Sequence, residues 1–149
     1  MKRVTGADRV AAAAVVLGVI AMFVPWYTYS TSAARVSVNG FRASILGEVF
    51  FLALALTALI VLTRMRVIDD ALLPAWDRRQ LLLACAAVAG AAVLLQLLLD
   101  VITHGRGIAA GFLLAILAAA TLVTAVWLQQ QHAEPRRTVR RMLEEDRLD

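Results

Sequence analysis

Four apolar runs divide this chain, and their length constrains it more than any other feature. They cover about residues 10–26, 45–63, 81–102 and 108–128. A helix rises about 1.5 Å per residue, so about 20 residues cross a hydrocarbon core about 30 Å thick. A soluble helix needs a polar face, whereas a lipid-embedded helix is stable when apolar all round. Hydrophobic residues make up 61% of the 149 and charged residues 17%, against about 25% charged in a soluble domain. The sequence therefore predicts an all-α, integral membrane four-helix transmembrane bundle over residues 1–130. A charged tail with one short helix follows over 131–149.

Local signals bound the runs. Asp8 precedes the first, Ser44 the second, and Asp77 (with Gln80 three residues on) the third, each a residue type that caps helix N-termini. Pro25 falls at the end of the first run, and "HGRG" at 104–107 supplies the glycines of a tight turn between the last two. The basic residues set the orientation. Lys2, Arg3, Arg9, Arg64, Arg66, Arg78, Arg79, Arg136, Arg137, Arg140, Arg141 and Arg147 fall on one side, and only Arg35, Arg42 and Arg106 on the other. By the positive-inside rule both termini are cytoplasmic, and the 27–44 loop and the HGRG turn face outward. Arg/Ala/Leu-rich, Lys-poor usage suggests a high-GC bacterial genome, and with the four spans the expected location is a bacterial plasma membrane. A competing reading takes "MKRVTGADRV", the first apolar run and "YSTSAA" as a signal peptide, although that run ends in Pro-Trp-Tyr rather than in small residues.

Between helices in lipid, small residues and hydrogen bonds must provide the adhesion, because apolar burial gains little there. Stripes of this kind run along Ala11, Ala14, Gly18 and Ala21, along Cys85, Ala89 and Ala92, and along Gly107, Gly111, Ala115, Ala118 and Ala125. They serve either the bundle itself or a homo-oligomer.

Three groups are candidates for function. Glu48, Gln96, Asp100 and Arg106 fall at one membrane level and form a candidate intramembrane polar cluster. Ionisable groups there are costly, so they mark either a proton- or cation-linked site or a structural ion-pair cluster. Trp26, Tyr27 and Tyr29 form a candidate outer aromatic belt, or else a binding surface. Arg136, Arg137, Arg140 and Arg141 in the tail are candidate contacts for anionic headgroups or for a partner. The middle loop "RMRVIDDALLPAWDRRQ" places Trp76 and its arginines at the cytoplasmic interface. His104 and His132 read as loop histidines, and the lone Cys85 has no disulfide partner. The sequence holds no nucleophile elbow, P-loop, HExxH or paired-cysteine motif. The expectation is a non-enzymatic accessory or scaffold subunit with no cofactor, no metal and no nucleic-acid partner. The alternative is a small oligomeric transporter or channel component using Glu48 and Asp100.

The stretches "VVLGVIAMFVPWYTYS", "VNGFRAS" and "PAWDRRQLLLACAAVAGAAVLLQLL" together resemble a group of small uncharacterised actinobacterial four-helix integral membrane proteins. The resemblance covers most of residues 10–128 and implies the same fold. It implies no activity, so no functional residues follow from it. Small multidrug-resistance transporters differ, since their essential glutamate is in the first helix and Glu48 is in the second.

Overall fold

A computed structural model describes residues 5–30, 34–65, 67–68, 77–103 and 107–131. Helix α1 (Gly6–Phe23) leads into strand β1 (Pro25–Ser30), and strand β2 (Arg35–Asn39) into the short helix α2 (Gly40–Ala43). Helices α3 (Ile45–Arg64) and α4 (Arg78–Leu97) follow, then a π-helical extension over Leu98–Thr103. Strand β3 (Gly107–Ile108) and helix α5 (Ala110–Gln131) complete the described chain. The protein is mostly helical, and all four long helices are long and apolar enough to cross a membrane.

The all-α expectation needs one correction, because Pro25–Ser30, Arg35–Asn39 and Gly107–Ile108 form a three-stranded antiparallel sheet of order β2-β1-β3. Its origin is local. Val24 precedes proline, which disfavours helical backbone, and it takes φ −81°, ψ 141°. The helix therefore stops at Phe23, short of the expected Trp26, and the aromatic run "PWYTYS" continues extended. Thr28 pairs with Ser37 and Tyr29 with Val36, while Tyr27 faces Ile108 on the other edge. The register shifts between Pro25 and Tyr27, as in a β-bulge. The turn expected at 104–107 thus ends in a strand that ties the start of α5 back to the end of α1.

The caps explain the other boundaries. Ser44 and Asp77 cap as expected, accepting from the backbone N–H groups of Gly47 (3.3 Å) and Arg79 (3.0 Å). At α1 the cap is Thr5, and Asp8 is its reciprocal partner. Thr5 Oγ1 accepts from the Asp8 N–H at 3.3 Å, and Asp8 Oδ2 accepts from the Thr5 N–H at 3.0 Å. This capping box starts the helix four residues before the apolar run does.

The long helices pack in a ring, α1 against α3, α3 against α4, α4 against α5 and α5 against α1. Chain direction alternates around it, so α1 and α4 end, and α3 and α5 begin, at the end carrying the sheet. The small-residue stripes turn inward. Ala11, Ala14, Gly18 and Ala21 of α1 are buried, as are Cys85, Ala89 and Ala92 of α4 and Gly111, Ala115, Ala118 and Ala125 of α5. A Cβ on Gly111 would strike the backbone carbonyl of Val24, with that of Pro25 close behind. Only a glycine admits this crossing. Many large apolar side chains point away from the bundle on all four helices, among them Val19, Leu52, Leu94 and Leu117, while Phe50, Ile60, Leu82, Phe112 and Leu122 fill the interior between the stripes.

Candidate polar and aromatic sites

The sheet end closes over an aromatic plug. The Trp26 side chain, 1% exposed, turns inward from β1, and its indole Nε1–H donates to the carbonyl of Ala21 at 2.9 Å. Its ring meets Phe112 edge-on at 5.3 Å between centroids and Phe50 at 6.0 Å, with Phe51 tilted at 5.8 Å. Tyr27, 2% exposed, lies against Phe112 at 5.7 Å. Offset and edge-on pairs of this kind add about 0.5–1.5 kcal/mol each beyond their buried area. Gly40 at the start of α2 lies directly over the indole, where a Cβ would approach Trp26 Nε1 to 2.5 Å. The backbone seals the same spot, since the Ala109 N–H donates to the Trp26 carbonyl at 2.8 Å.

The candidate aromatic belt is therefore corrected in part. Trp26 and Tyr27 are core residues that lock α1, α3 and α5 together. Only Tyr29 stays at the surface, 44% exposed. Strand alternation alone would set Trp26 and Tyr27 on opposite faces, and the register shift between Pro25 and Tyr27 breaks that alternation at Trp26.

The polar candidates separate into two environments. Ser44 Oγ donates to Gln96 Oε1, and Gln96 Nε2 donates to the carboxylate of Asp100. Gln96 and Asp100 are each 3% exposed and lie one turn apart on α4 and its π-helical extension. A buried polar group without a partner costs several kcal/mol in an apolar surround, so this chain of bonds satisfies groups that α3 and α4 would otherwise bury at a loss. It joins the N-terminus of α3 to the C-terminal end of α4. Glu48 takes no part in it. Its side chain is exposed and lines a groove between α1 and α3, with neither hydrogen bond nor ion pair to any described residue. Arg106, His104 and His132 lie outside the described residues, as do Trp76, the tail arginines 136, 137, 140 and 141, and the expected tail helix.

A third polar site escaped the sequence reading. At the end of the bundle away from the sheet, Arg64 Nη1 on α3 meets Asp8 Oδ1 on α1 at 2.6 Å. With its amide oriented so that oxygen faces the guanidinium, Gln129 of α5 accepts from Arg64 Nη2 at 2.6 Å. One arginine thus ties three helices. The signal was an acid in the first turn of one apolar run and a base in the last turn of the next, which antiparallel packing brings to one level. Among the described residues no group of three or more His, Cys, Asp or Glu gathers as metal ligands.

No protein-family model, curated protein or solved structure matches this chain.

Proposed function

We propose that the chain is a multi-pass protein of a bacterial plasma membrane, with both termini cytoplasmic and the sheet outward. In this reading it is a non-enzymatic accessory or scaffold subunit of a larger membrane complex. The observation that carries the membrane assignment is the exposure of large apolar side chains on every long helix. Alanine and glycine stripes line much of the contact between helices, while Val19, Leu52, Leu94 and Leu117 are among the side chains so exposed. Water would penalise that surface, but lipid tails do not. The arginine distribution supports the orientation, because the sheet end carries only Arg35 and Arg42 among described basic residues, and Arg9, Arg64, Arg78 and Arg79 belong to the opposite end.

The scaffold assignment rests on the role of the polar groups. Gln96, Asp100, Asp8 and Arg64 are engaged in bonds between helices or along one. The arginine-rich segments at the cytoplasmic side then remain to meet anionic headgroups and partner proteins. A transporter built on Glu48 and Asp100 as a single site is less well supported, since Glu48 stands exposed outside the Ser44–Gln96–Asp100 chain. Two measurements test the proposal. The protein should remain in the membrane fraction after alkaline carbonate washing and co-purify with a larger complex from native membranes in mild detergent. Release by carbonate would end the membrane reading. Purification as a lone chain that conducts protons or cations in liposomes would replace the scaffold by the transporter.

A further inference from the structure

The groove between α1 and α3 is lined by Val15, Val19 and Met22 on one wall and by Phe51, Leu52 and Ala55 on the other, with Glu48 the sole ionisable lining residue among those described. Its volume is about 470 Å³. Contact between Leu54 and the bare Cα of Gly18 forms the floor, where any side chain on Gly18 would strike Leu54. From Glu48 to Ala58, the last lining residue, α3 rises about 15 Å. A helix with its side chains is about 10–12 Å across, so that length of helix fills roughly 1,200–1,700 Å³, well beyond the groove's volume. The groove therefore does not enclose a helix, whereas one extended alkyl chain suits its length and volume.

Its polarity is one-sided. Glu48 is the fourth residue of α3, at the sheet end, and the described lining residues deeper than it are apolar. The carboxylate has no hydrogen bond or ion pair to a described residue. Arg42 stands on α2 at the same end and is not among the lining side chains. Ligand sites are commonly apolar clefts of about 300–1,000 Å³ oriented by a few polar groups. Here the orienting group among the described residues is an anion at the mouth of an apolar slot.

We propose that this groove binds a single-chain amphiphile with a cationic head, of the long-chain alkylammonium class. The alkyl chain lies between α1 and α3, and the ammonium donates to Glu48. A phospholipid fits less well, because its phosphate would be brought close to the carboxylate. The inference rests on the membrane reading above, since only in that setting does the groove open to amphiphiles dissolved in lipid.

The test uses the full chain in nanodiscs of zwitterionic lipid and a dodecylammonium probe with a photoreactive diazirine in its chain, with labelled peptides identified by mass spectrometry. Label is expected on the Val15–Met22 and Phe51–Ala58 segments, competed by unlabelled dodecylammonium and not by dodecyl sulfate. Glu48→Gln should reduce that labelling about tenfold, the scale of one charge-assisted hydrogen bond. Ala55→Trp, which fills the slot from an exposed position, should abolish it while Glu48 remains. Both variants are first checked for an unchanged size-exclusion profile. Label spread evenly over the outer faces of all four helices, equal competition by dodecyl sulfate, or unchanged labelling in Glu48→Gln each overturns the proposal. So does copy-to-copy disulfide formation by Ala55→Cys in a Cys85→Ala background, which would give the groove to a second copy of the chain. A protein that fails to enter nanodiscs at all would instead refute the membrane reading.

Discussion

The two ends of the bundle are closed by different forces. At the sheet end the closure is steric and continuous: backbone pairing across β2-β1-β3, an indole packed among Phe50, Phe51 and Phe112, and glycines where the chain crosses itself. At the other end a single arginine bridges three helices through Asp8 and Gln129. The first closure distributes its stabilisation over many contacts, each small and short-ranged. The second concentrates it in one pair whose attraction is partly offset by the desolvation of both charges. Trp26, Tyr27, Phe50 and Phe112 are the largest fully buried side chains among the described residues, so the aromatic end should dominate stability.

The largest expected effect tests that ranking directly. Trp26→Ala removes a fully buried ring together with its bond to Ala21, and large aromatic truncations cost about 3–5 kcal/mol. Trp26→Phe keeps a ring in the plug and loses only the indole N–H and some volume, for about 1–2 kcal/mol. Unfolding by SDS titration from mixed micelles should place the two variants in that order. If Trp26→Ala unfolds with the midpoint of the wild type, the plug is not the anchor.

Gly111 gives the next effect, and it probes shape without removing any contact. Gly111→Leu places a side chain where the Val24 and Pro25 carbonyls lie, and backbone yields less readily than a side chain. Overpacking costs about 1–3 kcal/mol, and the upper part of that range is expected here. Gly90 is the matched control, because nothing lies within 4 Å of a Cβ built on it. Gly90→Ala should be neutral or slightly stabilising, since alanine is favoured over glycine within a helix. Equal effects at the two positions would mean that helix propensity, and not the crossing, sets the cost at Gly111.

What could be read from the sequence follows the physics of each feature. The four helices were legible because lipid-length apolar runs leave few alternatives, and the inward stripes because small residues at spacings of three and four share one helix face. The strands were less visible. "RVSVN" and "WYTYS" do show two-residue alternation, but each is only five residues long and a membrane loop of that length needs no sheet. The pairing of β3 with β1 spans about eighty residues of sequence, and no local pattern reports it. Trp26 was misplaced for a related reason. An aromatic residue at the end of an apolar run satisfies the interfacial preference, and only the sheet that follows turns it inward. Gln96 and Asp100 were correctly placed together, while Glu48 shares their level and lies on a different surface. The separation of those faces is a matter of helix rotation, which the spacing along one helix does not fix relative to another.

The Asp8–Arg64 pair carries the smallest expected effect and is the sharpest probe of the contrast between the ends. Arg64→Met keeps an unbranched side chain and removes the charge, leaving Asp8 with its two bonds to Thr5 but no counter-ion. The remaining carboxylate is 6% exposed at the residue level, so its uncompensated charge should cost about 1–2 kcal/mol, less than a deeply buried pair because Thr5 still donates to it. Asp8→Asn alone loses the charge pair and weakens the reciprocal cap, for about 1 kcal/mol. The double variant should be less destabilised than the sum of the two, because the single arginine variant leaves a charge that the second substitution removes. If the two costs simply add, the 2.6 Å contact contributes no coupling, and this end of the bundle would be held by apolar packing such as that of Ile60, Leu81 and Leu82. If the coupling matches the cost of Trp26→Ala, the ranking of the two ends reverses. Repeating the cycle at high salt distinguishes the sources further, since an ion pair open to water is screened and one sealed among α1, α3 and α5 is not.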